Sequence, residues 1–257
     1  MSDQFYLTLP SDSSAASFPD NTIARYVTKL PERIQLDGDY EIGLSEISYP
    51  HSWYIIDNRD ERFWIGALNF ATGEFAEMAI LETGYYKDPE TFIDNLTQQT
   101  TKAFTSIDGF FVNFSFVKGT DRIRMQVKNS DSILAVIAPD LLEFLGFRRQ
   151  LIVSKNMDRH GTFPFDLNRG LHLAYVYCDL VVESTIGDTR APFLRVLNVS
   201  GEKDRHVQIT YVRPHYVPVR RREFDTIAIT INNELGRPMP FELGKSVVTL
   251  HFRRRQR

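Results

Sequence analysis

Between Tyr40 and Ser45 the chain alternates: Tyr40, Ile42 and Leu44 fall on one parity, and Glu41, Gly43 and Ser45 on the other. Successive side chains of an extended strand point to opposite faces, so this segment reads as a strand with one apolar and one solvent-facing side. Two earlier runs, 5–9 and 23–30, share the pattern and are joined by a loop rich in Ser, Pro and Asp. The same alternation predicts strands at about 5–9, 22–30, 39–48, 62–69, 171–182, 193–199, 206–213, 224–232 and 246–253. Ile227, Ile229 and Ile231 against Ala228, Thr230 and Asn232 is the clearest case. Gly- or Pro-bearing turns separate the runs, as at Asp37-Gly38, Gly187-Asp188 and Gly236-Arg237-Pro238. Turns at this spacing between about eight such strands imply an all-β chain, an antiparallel sandwich.

One block breaks the period of two. Asp88 followed by Pro89 is a helix N-cap with proline at the first helical position, and Phe92, Ile93, Leu96, Ala103 and Phe104 then share a helical face. A hairpin follows at 110–117 and 121–128, turning through Lys118-Gly119-Thr120. Pro139 opens a second short helix, and Gly146 closes it with Leu142 and Phe147 placed for a Schellman-type contact. This organisation implies three segments: 1–83 as the first part of the sandwich, 84–150 as an inserted α+β subdomain, and 151–257 as the second part with a basic C-terminal tail.

With 257 residues the chain can bury roughly three quarters of the surface its unfolded form exposes, so it needs no covalent staple. Its single cysteine, Cys178, forms no internal disulfide. Neither a signal-peptide pattern nor a run of about 20 apolar residues is present, and the expectation is a protein synthesised inside a cell and not secreted.

A search for chemistry leaves little. His172 and Cys178 are six residues apart on one predicted strand, about 20 Å, and cannot form a dyad with each other. The six histidines are scattered, with neither a strand HxH pair nor HExxH, and no GxGxxG, Walker A or GxSxG sequence occurs. The expectation is no enzyme, no cofactor and no metal. The basic runs are the candidates for contact. Arg220, Arg221 and Arg222 precede a strand, and Arg253, Arg254, Arg255 and Arg257 follow one. The C-terminal group is expected to leave the sheet as a free cationic tail, a candidate contact with nucleic acid or a capsid interior. With a net charge of −3 the whole chain is not a nucleic-acid-coating protein.

The ordered set Phe5-Tyr-Leu-Thr-Leu-Pro-Ser, Phe18-Pro-Asp-Asn-Thr22, Tyr40-Glu-Ile-Gly-Leu-Ser-Glu-Ile and Tyr49-Pro-His-Ser-Trp53 resembles the opening of the minor capsid (penton) proteins of Polinton, or Maverick, elements and related virophage- and adintovirus-like viruses. Tyr175-Val-Tyr-Cys-Asp179, Pro192-Phe-Leu-Arg195, Pro214-His-Tyr-Val-Pro218 and Leu250-His-Phe-Arg-Arg254 extend the resemblance through the second half. It implies a single jelly-roll that forms homopentamers at the five-fold vertices of an icosahedral virion. The implied partners are a double-jelly-roll major capsid protein and packaged DNA reached through the C-terminal arginines. The alternative from the residues alone is a jelly-roll carbohydrate- or protein-binding module without catalysis, with Trp53, Trp64, Tyr85 or Tyr86 stacking on sugar rings.

Overall fold

The computed structural model describes residues 3–57, 61–149, 156–201 and 205–255. In chain order the first strands are β1 (Gln4–Pro10), β2 (Arg25–Gln35) and β3 (Tyr40–Pro50). The middle of the chain holds β4 (Trp64–Asn69), β5 (Phe75–Ile80), helix α1 (Pro89–Phe104), β6 (Phe111–Val117), β7 (Arg122–Lys128), β8 (Ile133–Ile137), helix α2 (Pro139–Phe144) and β9 (Met157–His160). The last part holds β10 (Leu173–Cys178), β11 (Ser184–Ile186), β12 (Thr189–Ala191), β13 (Phe193–Asn198), β14 (His206–Thr210), β15 (Tyr216–Pro218), β16 (Glu223–Asn233) and β17 (Val247–Arg254). Among the described residues no helix is long and apolar enough to cross a membrane.

Two compact units result, 1–53 with 170–257, and 54–169. The first is a sandwich of two antiparallel sheets, ordered β1-β17-β3-β14 and β13-β10-β16-β2, with β15 added against β3. Its eight main strands in chain order are β1, β2, β3, β10, β13, β14, β16 and β17. The sheets are therefore first-eighth-third-sixth and fifth-fourth-seventh-second, and every connection except β10 to β13 crosses between them. That winding is the jelly-roll. The core lies between the sheets: Ile42, Leu44, Ile47, Leu250 and Phe252 from one meet Val176, Leu194, Ile227, Ile229 and Ile231 from the other. Along β10, β16 and most of β17 the apolar parity is the buried one, which is why alternation located them, while on β3 the buried parity changes between Leu44 and Ile47, where the ladder to β17 shifts register.

Local irregularities have identifiable causes. The β2–β16 ladder jumps between Phe224, opposite Ile34, and Thr226, opposite Lys29. Pro31 lies in the skipped stretch and has no N–H to donate to a ladder. On β3, a β-carbon added at Gly43 would lie 2.7 Å from Pro214 Cβ, so only glycine lets the segment before β15 close over that strand.

The second unit has its own core, with two three-stranded sheets, β5-β4-β8 and β6-β7-β9, and both helices. Asp88 caps α1, its carboxylate accepting the Thr91 N–H at 2.8 Å. The Thr97 and Thr100 hydroxyls donate to the edge carbonyls of Phe114 and Val112, both at 3.1 Å, fastening the helix to β6. Helix α2 ends in a Schellman motif: Phe147 N–H bonds Leu142 O at 2.8 Å and Gly146 N–H bonds Glu143 O at 3.1 Å, with Gly146 at φ +81°.

The expected boundaries at 84 and 150 are corrected to 54 and 169. Strand β4, expected in the sandwich, pairs only with β5 and β8, and β9 pairs with β7. Their hydrogen bonds and buried side chains, Ile65 and Met157 among them, belong to the second core.

Candidate functional site

The C-terminal arginines begin inside the sheet. Strand β17 does not end at Phe252 but continues through Arg253, opposite Gln4 and Glu41, and Arg254, opposite Tyr40. Its two neighbours extend equally far, and Phe252 stacks on Phe5 at 4.7 Å, so pairing persists to the end of the apolar run. The expectation of a free cationic tail starting at Arg253 is therefore corrected.

Both strand arginines hold partners. Arg253 Nε donates to Glu41 Oε1 at 2.6 Å, and its guanidinium lies 3.4 Å from the Tyr216 ring centroid. Arg254 takes Asp3 O through its N–H at 2.8 Å and approaches Asp3 Oδ1 at 3.7 Å. Arg255 is exposed, with its N–H on Asp39 O at 2.8 Å. Arg257 lies outside the described residues.

The other basic run reaches the same turn. Arg222 pairs with Asp39 Oδ1 at 2.6 Å, while its carbonyl accepts the Leu36 N–H. Arg221 pairs with Asp179, whose other oxygen accepts the Ala228 N–H at 2.8 Å. Residues more than thirty positions apart thus converge on the 36–41 turn, but with a carboxylate beside each of Arg221, Arg222, Arg253 and Arg254. These exposed pairs are worth at most about 1 kcal/mol each and leave little positive field for phosphate.

Beside them on the outer face of β17 sits His251. It stacks on Tyr6 at 4.3 Å, and its Nδ1 lies 2.7 Å from the Tyr216 hydroxyl. Burial lowers its pKa from the ordinary histidine value, and the Arg253 charge lowers it further. The result is a neutral imidazole clamped between two tyrosines, joining β1, β15 and β17.

The remaining chemical candidates fall apart on inspection. Cys178 is buried in the sandwich core, and desolvation pushes its thiol up to about 12, an inert group. Among the described residues no three His, Cys, Asp or Glu side chains cluster as a metal site. Trp53 and Tyr86 are buried, while Trp64 and Tyr85 are half-buried, so of these four only the latter two keep ring surface exposed.

Alternation did not expose another cationic group. Arg195 on β13 lays its guanidinium 3.7 Å from the Tyr211 ring centroid, and with Phe193, Arg213, Pro214 and His215 it walls an open groove. Arg213 lies in a loop eighteen residues beyond Arg195, and no spacing signal joins them before the fold is known.

No family model matches this chain, and no curated protein matches it. Among solved structures it is similar to the mavirus penton protein, in its selenomethionine-labelled crystal form. That similarity covers 97% of this chain and 99% of the other, at 12% identity and a TM-score of 0.49. A likeness this distant carries no argument about function.

Proposed function

We propose that this chain is a structural minor capsid protein, a penton, that forms homopentamers at the five-fold vertices of an icosahedral virion and performs no catalysis. The observation that carries the reading is the strand order itself. A closed jelly-roll winding, with a separately cored unit spliced between its third and fourth strands, is an architecture suited to shells. Among the described residues its sheets leave flanking strands such as β14 and β13 without a further partner, and a cyclic assembly of identical copies would bury such flanks. The sandwich interior is filled by apolar side chains, which leaves no room for the inward ligand set of a cupin-type enzyme. The resemblance of the ordered motifs to those of Polinton and virophage-like pentons points the same way.

The partner in this reading is a double-jelly-roll major capsid protein. Co-expression with that protein from the same element, followed by electron cryo-microscopy, tests it. Density of this chain at the five-fold positions is the expected result. Shells whose vertices form without it would refute the assignment.

A further inference from the structure

On the outer face of the β13-β10-β16-β2 sheet, the rows around Tyr175 and Tyr177 carry cations and rings, while the acidic strand residues Glu32, Glu223 and Asp225 gather at the other end of β2 and β16. Strand register settles which residues share it. Phe193, Tyr177, Thr230 and Arg25 form one row across the four strands, Val196, Tyr175 and Asn232 form the next, and Lys29 stands opposite Thr226. No strand residue in these rows is acidic. Of the carboxylates at the strand ends, Asp179 is held by Arg221 and the Ala228 N–H, Glu234 by the Leu173 N–H at 2.7 Å and Glu223 by Arg33 at 2.8 Å, while Asp225 is exposed next to Thr226 on β16.

Aromatic surface lies directly beside this charge. Phe193 is 6.1 Å from the Tyr175 ring and 5.8 Å from the Tyr177 ring, and all three are half-buried with their remaining area facing outward. At the β13 margin the groove adds Arg195 and Arg213. Among the described residues, no carboxylate comes within ion-pair distance of Arg25, Lys29, Arg195 or Arg213. The contrast with Arg253 and Arg254, each beside its own carboxylate, is direct.

We propose that this face binds single-stranded nucleic acid, with phosphates drawn to Arg195 and Arg213 and unpaired bases stacked on Phe193, Tyr177 and Tyr175. Uncompensated cations supply the salt-dependent attraction to a phosphate backbone. Contiguous rings supply what only an unstacked base can use, since a duplex keeps its base faces hidden. An acidic protein segment would engage the arginines but leave the rings without a partner. The proposal does not depend on the penton reading: it concerns a face of one chain, and a monomer can satisfy it.

The test is fluorescence anisotropy of a labelled oligothymidylate of about twenty nucleotides with the full chain, titrated across salt. Binding should weaken linearly in log–log salt. The double variant Arg195→Gln/Arg213→Gln should weaken it about tenfold or more and reduce the salt slope by about 1 to 1.5. Phe193→Leu and Tyr177→Leu, checked by circular dichroism for folding, should weaken binding with the slope unchanged, and Arg253→Ala/Arg254→Ala should leave it within about twofold. Absence of binding at low salt would overturn the proposal. So would a slope carried by Arg253 and Arg254, or equal binding of duplex, heparin or polyglutamate with the rings dispensable.

Discussion

The main strands of the sandwich and two strands of the unit spliced into it, β5 and β8, reveal themselves to a reader of sequence very differently. In the sandwich, each main strand buries one face against the opposite sheet and offers the other to solvent, so period-two alternation follows from the architecture. In the 54–169 unit, β5 runs Phe-Ala-Glu-Met-Ala-Ile with only Ala79 buried, and β8 is the short apolar run Ile-Leu-Ala-Val-Ile. One strand has almost no buried face and the other no polar face, and neither produces alternation. Periodicity reports one-sided burial, not strand structure as such.

The comparison predicts separate responses to core damage. The largest effect is expected from Phe252→Ala, which removes a fully buried ring packed on Phe5 and facing Phe224 across the two sheets. It should cost about 3–5 kcal/mol. Hydrogen exchange should show the loss in β3 and β17 amides, while those of α1 keep their protection. Equal loss in α1 would show that the two cores unfold as one.

A smaller effect is expected in the other unit. Gly146 sits at φ +81°, and an added β-carbon would lie 2.5 Å from the Phe163 carbonyl oxygen. Gly146→Ala should destabilise by about 2 kcal/mol, the strain of a positive φ compounded by a backbone clash. Chemical denaturation should show it in that unit's transition, with the sandwich unmoved. A neutral outcome would mean that the Schellman turn is not what holds the end of α2.

The smallest stability effect is expected at the C-terminal strand. Arg253→Ala breaks an exposed ion pair and should cost at most about 1 kcal/mol. It should also raise the His251 pKa by removing the neighbouring positive charge. Because the folded-state pKa of His251 is depressed, its contribution to stability is complete above the ordinary value of about 6.5. That contribution is lost as pH falls from there through the folded value, where the unfolded chain takes up a proton that the native state refuses. Proton NMR of the imidazole across this range measures the shift, and an unchanged titration in the variant would remove Arg253 as a cause.

Legibility followed the same physics. The Asp88 cap and the Gly146 stop were readable because each needs a particular residue at one position. The boundary at 84 leaves β4 with the sandwich because its apolar run Trp-Ile-Gly-Ala-Leu reads as a strand while its partners, β5 and β8, do not announce themselves. Arg253 and Arg254 read as a tail because four arginines in the last five residues show no alternation, although Arg253 continues the polar parity of Thr249 and His251. The carboxylates that hold them, Glu41 and Asp3, lie more than two hundred residues away in sequence. The groove at Arg195 and Arg213 was invisible for the same reason: charge compensation is a property of the fold, and the run of residues alone does not reveal it.

The central claim, a self-assembling capsid vertex protein, is tested most directly by the mass of the purified protein in solution, measured by light scattering across concentration and salt. The account predicts a discrete species of five times the 29.7 kDa chain mass. A monomer under every condition, including in the presence of the major capsid protein, would contradict it.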